Sequence, residues 1–276
     1  MESGLRQKPL LFTVPLSLLI AAASLGGLFI SGMYSRETAF AAAQALAQDV
    51  IDLIIVVPTL LISSVLIRKG SKYSYFIWLG AMMYVAYTFV IYCFGVHFND
   101  LFLVYCFTLG LSFYSITTIL ASTDSHAVMS WFDEKKSNNV VIAYLWIIAL
   151  LFSAQWLKEI IPAMINNDVP QSVKDAGAFT SAVHVLDLSI FLPGFFVAAV
   201  LLRKRHPIGY LIAPSFVVFG MLTAVAIGAM VVSMRFSGLN VDETSLLVFV
   251  GLAAISVVVM VEFLNHIKSE PRAVPS

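Results

Sequence analysis

Eight apolar runs, each long enough to cross a bilayer as a helix, constrain the fold of this 276-residue chain more than any other feature. A helix needs about 20 apolar residues to cross the hydrocarbon core. The runs cover residues 9–33, 48–67, 74–96, 100–121, 139–157, 180–202, 208–234 and 244–265. They are apolar on all sides and do not alternate with period two, which favours helices over a β-barrel. The sequence predicts an all-α integral membrane protein with eight transmembrane helices, numbered 1 to 8, and the lipid bilayer as a partner.

Composition agrees with this class and excludes several others. Apolar residues make up 60% of the chain and charged residues 12%, whereas a soluble domain carries about 25% charge. The formal net charge is zero and long basic blocks are absent from the sequence, which argues against nucleic acid as a partner. The first apolar run is longer than the apolar core of a cleaved signal peptide, so we expect it to remain as a transmembrane helix.

Lysine and arginine are distributed unequally between the two sides of the predicted bundle. Twelve of the 16 lie at the termini or in the connections between helices 2 and 3, 4 and 5, and 6 and 7. The positive-inside rule places the side with more Lys and Arg in the cytoplasm. The other four residues are Arg36, Lys158, Lys174 and Arg235. The sequence therefore predicts a plasma (inner) membrane protein with both termini cytoplasmic.

Two segments of the chain align without a gap when the sequence is shifted by 135 residues. Residues 49–76 and 184–211 are identical at ten of 28 positions. The identities include polar and conformationally special residues, which apolar composition alone does not match: Asp52 and Asp187, Pro58 and Pro193, Arg68 and Arg203, Lys69 and Lys204, Tyr75 and Tyr210. The alignment predicts two direct four-helix repeats, at 1–122 and 139–276, joined by a cytoplasmic linker at 123–138. Direct repeats are related by an axis along the membrane normal.

The same stretches resemble an uncharacterised family of bacterial and archaeal multi-pass membrane proteins. The resemblance rests on QDVIDLIIVVP, YVAYTFVIYCFGVHFNDLFLVY and HVLDLSIFLPGFFVAAVLLRKRHPIGYLIAP, which together cover about a quarter of the chain. It implies a prokaryotic source and a membrane location. It implies no activity, and it carries no catalytic residues to this chain.

Asp52 and Asp187 lie at matching depth inside predicted helices 2 and 6. Each precedes the arginine that marks the cytoplasmic interface by 16 residues, which is about 24 Å of helix. With a core of about 30 Å, both carboxylates are expected about one turn below the outer surface. An ionisable side chain in a span is a functional hypothesis by default. Two other roles remain open, namely capping of the helix N-terminus and a hydrogen bond between helices.

Neighbouring polar residues strengthen the functional hypothesis. Gln48 and Asp49 lie within one helical turn of Asp52, and His184 lies one turn before Asp187, so these side chains share helix faces. If helices 2 and 6 face each other, three carboxylates and one imidazole converge and could hold or pass a proton.

Pro58 and Pro193 follow the two aspartates by six residues. A proline in the middle of a helix removes one backbone hydrogen bond and kinks the helix. Each proline is expected to release a carbonyl, that of Ile54 or that of Ser189. The kinks could act as hinges or could simply shape the packing of the helices.

Further polar candidates lie on helix 3 and in the turn that follows it. Tyr84 and Tyr87 are deep enough to need hydrogen-bond partners, whereas Tyr92 also suits the aromatic belt at the membrane interface. The full set of predicted ligand-binding residues is Gln48, Asp49, Asp52, Tyr84, Tyr87, Tyr92, His97, Asn99, His184 and Asp187. Cys93 and Cys106 flank the same turn, where they could form a disulfide or remain buried thiols. The outer loop 158–179 has room for a short surface helix or a lid.

Sequence motifs for common cofactors are absent. The chain has no P-loop and no HExxH, and its histidines do not form opposed pairs within the spans. No cofactor or metal is therefore predicted. The favoured function is a small secondary transporter or permease for a small molecule or proton, with an outward-side polar pocket between helices 2, 3 and 6. The alternatives are a membrane-embedded enzyme or metal-binding protein that uses the same Asp/His cluster, and a ligand- or lipid-binding sensor or assembly protein.

Overall fold

A computed structural model describes residues 3–268, with side chains at 9–242 and 244–268. Each of eight long helices is long and apolar enough to cross a membrane, so the chain is an all-α, multi-pass membrane protein. Arg272 and the side chains of Arg6 and Lys8, which contribute to the predicted charge count, lie outside the described part. The helices are α1 (Ser3–Phe29), α2 (Ala39–Arg68), α3 (Lys72–Gly95), α4 (Phe102–Ser122), α5 (Asn139–Ile165), α6 (Ala182–Arg203), α7 (Pro207–Phe236) and α8 (Glu243–Leu264).

The second helix begins well before its predicted start at residue 48. The segment 39–47 contains six alanines, the residue with the highest helix propensity. Thr38 caps the helix, since its side-chain oxygen accepts a hydrogen bond from the backbone N–H of Ala41 at 3.1 Å. Helix α1 ends earlier than predicted, at Phe29, and Gly32 has a positive φ of 80° in the turn that follows.

Helices α3 and α7 pack against each other at the centre of the bundle. On one side, α1 packs on α2 and α4, while α3 packs on the same two helices. On the other side, α6 packs on α5 and α7, while α8 packs on the same two helices. Gly80 permits the central contact, because a Cβ atom there would lie 2.5 Å from Cβ of Val218 and 2.6 Å from the carbonyl oxygen of Ser215.

A π-helical turn interrupts both α2 and α6, and each turn begins at one of the two aspartates. The turns cover Asp52–Val56 and Asp187–Phe191. Each closes with an i+5 hydrogen bond, from Val57 N–H to the carbonyl of Asp52 and from Leu192 N–H to the carbonyl of Asp187. The proline follows two residues after the turn, where a widened turn accommodates a residue that lacks an N–H donor. The interruption expected at the prolines therefore takes the form of a π-helical turn.

Hydrogen bonds between connections distinguish the two ends of the bundle. At one end, Arg36 Nη1 donates to the carbonyl of Phe98 at 2.9 Å, and Thr38 Oγ1 donates to the carbonyl of Asp175 at 2.8 Å. These bonds join the connections α1–α2, α3–α4 and α5–α6, at the end that the charge distribution predicts to be external. At the other end, the backbone N–H of Lys268 donates to the carbonyl of Trp131 at 2.8 Å.

Aromatic side chains fill the predicted cytoplasmic end. Phe132, from the linker between α4 and α5, stacks on Phe263 with ring centroids 4.9 Å apart. Its ring also lies 5.2 Å from that of Tyr210 and 5.9 Å from that of Phe76. All four side chains are buried, so this end of the bundle is closed by packing.

Candidate functional site

A cavity of about 470 Å³ lies in the predicted external half of the bundle, between α2, α3 and α5–α8. It extends from a short helix in the α5–α6 connection, Gln171–Ala176, to Tyr84 near the middle of α3. This short helix lies in the loop where a surface helix or lid was expected, and we refer to it as the lid helix. The walls are mostly apolar. The polar and charged lining residues include Glu37, Gln48, Tyr84, Tyr87, Tyr92, Trp156, Ser172, Ser181, His184, Asp187 and Thr223.

Asp187 is an acidic residue in the wall of this cavity. The indole N–H of Trp156, on α5, donates to Oδ2 of Asp187 at 2.8 Å. The hydroxyl of Tyr87, on α3, also interacts with this carboxylate. Both partners are neutral donors, which satisfy hydrogen bonds but do not neutralise the charge of a carboxylate.

His184 lies in the same wall, one turn before Asp187. Its ring centroid is 4.6 Å from that of Trp156, and its Nε2 is 3.7 Å from Oε2 of Glu159. The other oxygen of Glu159 accepts a hydrogen bond from the backbone N–H of Ser172 at 2.7 Å. Glu159 therefore connects the cavity wall on α5 to the lid helix.

Asp52 lies behind the cavity wall and does not line it. Gln48 Nε2 donates to Oδ1 of Asp52 at 2.9 Å and to the hydroxyl of Tyr84 at 2.6 Å, and both Gln48 and Tyr84 face the cavity. Asp52 is 1% exposed, and its Oδ2 has no hydrogen-bond partner among the described residues. The two aspartates of the sequence alignment therefore have different surroundings.

Asp49 belongs to a separate buried cluster between α1, α2 and α3. The hydroxyl of Tyr34 donates to Oδ2 of Asp49 at 2.7 Å, and that of Tyr92 donates to Oδ1 at 2.8 Å. Burial raises the pKa of Tyr34, which lies in the α1–α2 connection, so its hydroxyl remains a donor. Gly27 on α1 leaves the space that the Asp49 carboxylate occupies. Tyr92 also lines the cavity, whereas Asp49 does not.

Capping does not explain either aspartate of the alignment. Thr38 is the N-cap of α2, and Ser181 is the N-cap of α6, where its Oγ accepts from the backbone N–H of His184 at 3.1 Å. Asp52 lies near the middle of the 30-residue helix α2, and Asp187 lies inside α6 at the start of the π-helical turn. The capping alternative is therefore wrong for both residues.

His97 and Asn99 lie outside this cavity. His97 bonds Glu37 through its backbone N–H at 2.7 Å and its ring Nδ1 at 3.0 Å, and the Glu37 side chain is only 3% exposed. Asn99 Oδ1 accepts from the backbone N–H of Leu101 at 3.0 Å, which stabilises the turn before α4. Both residues line a smaller hollow of about 220 Å³ near Arg36.

The predicted residues therefore form several groups instead of one cluster. Gln48, Tyr84, Tyr87, Tyr92, His184 and Asp187 line the cavity, Asp49 and Asp52 lie behind its wall, and His97 and Asn99 lie near its outer end. The expected convergence of three carboxylates and one imidazole is only partly observed, because α3 and α7 occupy the centre between α2 and α6.

Three residues at the site were not predicted from the sequence: Trp156, Glu159 and Glu37. Trp156 and Glu159 lie one turn apart near the outer end of α5, and this i, i+3 spacing could have indicated a shared face. Glu37 lies in a connection, where acidic residues are ordinary, so no sequence signal distinguishes it.

Among the described residues, no group of three His, Cys, Asp or Glu side chains is arranged to hold a metal ion. Cys93 and Cys106 are both free, half-buried thiols in this structure. The geometry therefore offers no specific support for metal-dependent chemistry at the Asp/His residues.

Comparison of the chain with protein-family models, characterised proteins and solved structures finds no match.

Proposed function

We propose that this protein is a small secondary transporter or permease whose solute site is the cavity between α2, α3 and α5–α8. The observation that carries the proposal is the cavity's position. It reaches from the external loops to about the middle of α3, it contains Asp187, and the opposite end of the bundle is packed with aromatic side chains. Transporters with internal repeats bind their solutes near the bilayer midplane, at the interface between the repeats.

The proposal includes the duplication inferred from the sequence, with repeats at 1–122 and 139–276 and a linker at 123–138. Three features support it. Residues 49–76 and 184–211 are identical at ten positions. Both aspartates begin a π-helical turn. The helices also pack in the same order in each half, with the third helix of one half against the third helix of the other.

The two π-helical turns provide the bending points for alternating access in this proposal. A π-helical turn has a weaker hydrogen-bond pattern than an α-helix and often occurs at functional sites. The turn in α6 borders the cavity directly through Asp187 and Phe191, and the turn in α2 lies behind Gln48. Bending at these turns would let one half of the bundle rock against the other and open the cavity to the opposite side.

The orientation in the membrane is also part of the proposal. The distribution of Lys and Arg supports cytoplasmic termini, a plasma-membrane location and a cavity that faces outward in this conformation. The resemblance of the sequence to prokaryotic multi-pass membrane proteins supports the same setting.

Asp52 is the candidate for coupling transport to protons. It is buried next to the cavity wall, one of its oxygens has no partner among the described residues, and Gln48 links it to Tyr84 at the cavity. Ionisable residues in proton relays of transporters occupy such positions.

Flux into proteoliposomes tests the proposal. The panel contains three radiolabelled solutes that share an aromatic ring and cross bilayers poorly: benzyltrimethylammonium, phenyl glucoside and benzenesulfonate. We expect saturable uptake of at least one solute, loss of that uptake in Asp187→Asn, and loss of its dependence on a pH gradient in Asp52→Asn. Asp168→Asn is the matched control, since Asp168 is an exposed acid paired with Lys174 in the α5–α6 connection. Rates equal to those of protein-free vesicles for all three solutes would count against the proposal.

A further inference from the structure

Asp187 and the aromatic rings around it indicate which chemical class of solute the cavity accepts, an inference that deepens the proposed function and rests on the same site. We propose that the cavity binds a small organic cation with an apolar body, with the cationic group at Asp187 and the apolar part against Phe191 and Phe219.

The charged residues that line the cavity favour a cation over an anion. Two acidic side chains line it, Glu37 and Asp187, and His184 is its one basic group among the described residues, since lysine and arginine are missing from the described lining. An anionic solute would therefore meet acids and no permanent positive charge. Glu37 already bonds His97, which leaves Asp187 as the acid available to a solute.

The groups that contact Asp187 leave its charge without compensation. The Trp156 indole N–H donates a hydrogen bond to its carboxylate and the Tyr87 hydroxyl interacts with it, but neither group brings a positive charge. A half-buried carboxylate without a counter-ion is costly in a poorly solvated environment. A cation that enters the cavity would supply the missing charge without displacing the two donors, because a carboxylate has about four acceptor positions.

Three aromatic rings near Asp187 form an apolar surface for the body of the solute. Phe191 and Phe219 stack with centroids 4.3 Å apart, and Tyr87 contacts both of them edge-on at 5.0 and 5.5 Å. Asp187 and Phe191 are the first and last residues of the same π-helical turn, so the acid and the aromatic cluster adjoin. A carboxylate next to aromatic rings suits an organic ammonium compound, because the carboxylate attracts the charge and the rings pack against the apolar body.

The corresponding position in α2 does not offer this arrangement. Asp52 lies behind Gln48 and Tyr84, and the last residue of its π-helical turn is Val56 instead of an aromatic residue. The two halves have thus diverged, with the acid of α6 in the cavity wall and the acid of α2 enclosed. This asymmetry predicts one cation site in each chain.

Isothermal titration calorimetry of the purified, detergent-solubilised protein tests the inference without any need for transport. The probes are benzyltrimethylammonium, phenyl glucoside and benzenesulfonate. We expect the wild-type protein to bind the cation at one site and at least tenfold more tightly than the other two probes. This comparison requires no variant. Equal or tighter binding of the neutral or anionic probe, or no saturable binding of the cation, would overturn the inference.

Variants then locate the site. Asp187→Asn, which keeps the shape of the side chain, is expected to weaken binding of the cation at least tenfold. Phe191→Leu, which keeps an apolar side chain but removes the ring, is expected to weaken it about threefold, within the range of contacts between aromatic rings. The exposed-loop control Asp168→Asn should change the affinity less than twofold. If Asp187→Asn binds the cation as tightly as the wild type, the inference is wrong.

The two proposals fail in different ways. Binding of the cation without flux would leave the ligand class intact and would reject the permease. Flux of the neutral or anionic probe without binding of the cation would leave the permease intact and would reject the organic cation as the ligand class.

Discussion

Gly27 on α1 lies directly against the carboxylate of Asp49 on α2, so that a Cβ atom at position 27 would overlap with Oδ2 of Asp49. The same Cβ atom would lie 2.5 Å from the hydroxyl oxygen of Tyr34. The absence of a side chain at position 27 therefore permits both the close approach of α1 to α2 and the hydrogen bond between Tyr34 and Asp49.

Gly27→Ala is expected to destabilise the protein by about 1–3 kcal/mol, the usual cost of forcing an extra methyl group into a packed core. The measurement is thermal or chemical unfolding in detergent, followed by circular dichroism. Gly110→Ala on α4 is the matched control. A Cβ atom there has no neighbour within 4 Å, and alanine favours a helix over glycine by about 1 kcal/mol. Equal stability of the two variants would contradict the packing described for α1 and α2.

Removal of one hydroxyl from the Asp49 cluster gives a second prediction. Tyr34→Phe deletes the donor to Oδ2 of Asp49, and we expect a loss of about 1.5–3 kcal/mol, as for other hydrogen bonds to charged groups. Tyr114→Phe on α4 is the control, since that side chain is 67% exposed on the surface of the bundle. The measurement is the free energy of unfolding of each variant, compared with that of the wild type. A loss for Tyr114→Phe as large as that for Tyr34→Phe would mean that the cluster has no special role.

The lid helix gives a third prediction, on dynamics. Glu159→Ala removes the acceptor of the Ser172 backbone N–H, so hydrogen exchange in residues 171–177 should become faster, by about tenfold or more for that amide. Lys158→Ala changes the neighbouring residue on the same turn of α5 and should leave the exchange unchanged. Hydrogen–deuterium exchange with peptide-level mass spectrometry measures both. Unchanged exchange at 171–177 in Glu159→Ala would show that Glu159 does not hold the lid helix.

The spans could be predicted from the sequence because a 20-residue apolar run has one stable conformation in a bilayer. The ends of the helices were less predictable. The segment 39–47 is apolar and rich in alanine, but its helix start depends on the Thr38 cap, which a hydropathy pattern does not reveal.

Single residues of the site could be predicted from the sequence, but their arrangement around the cavity could not. Asp52 and Asp187 stand out because charged residues are rare in spans, and Pro58 and Pro193 stand out because each follows its aspartate by the same six residues. Which side of α2 faces the cavity depends on the packing of α3 and α7, and this packing brings Gln48 to the cavity and leaves Asp52 behind it. The partners of Asp187 are Trp156 on α5 and Tyr87 on α3, two residues that are distant in the sequence and lie outside the aligned segments.

Two-sided accessibility of a cysteine in the cavity tests the central claim, that this cavity is a transport site. Thr223→Cys places a thiol in the cavity wall on α7, in a background in which Cys93→Ser and Cys106→Ser remove the native thiols. A membrane-impermeant maleimide is applied to right-side-out and inside-out vesicles, with Asp168→Cys and Ser71→Cys as one-sided controls for the predicted external and cytoplasmic loops. The account predicts that the thiol at position 223 reacts from both sides while each control reacts from one side. Reaction of position 223 from one side alone would contradict it.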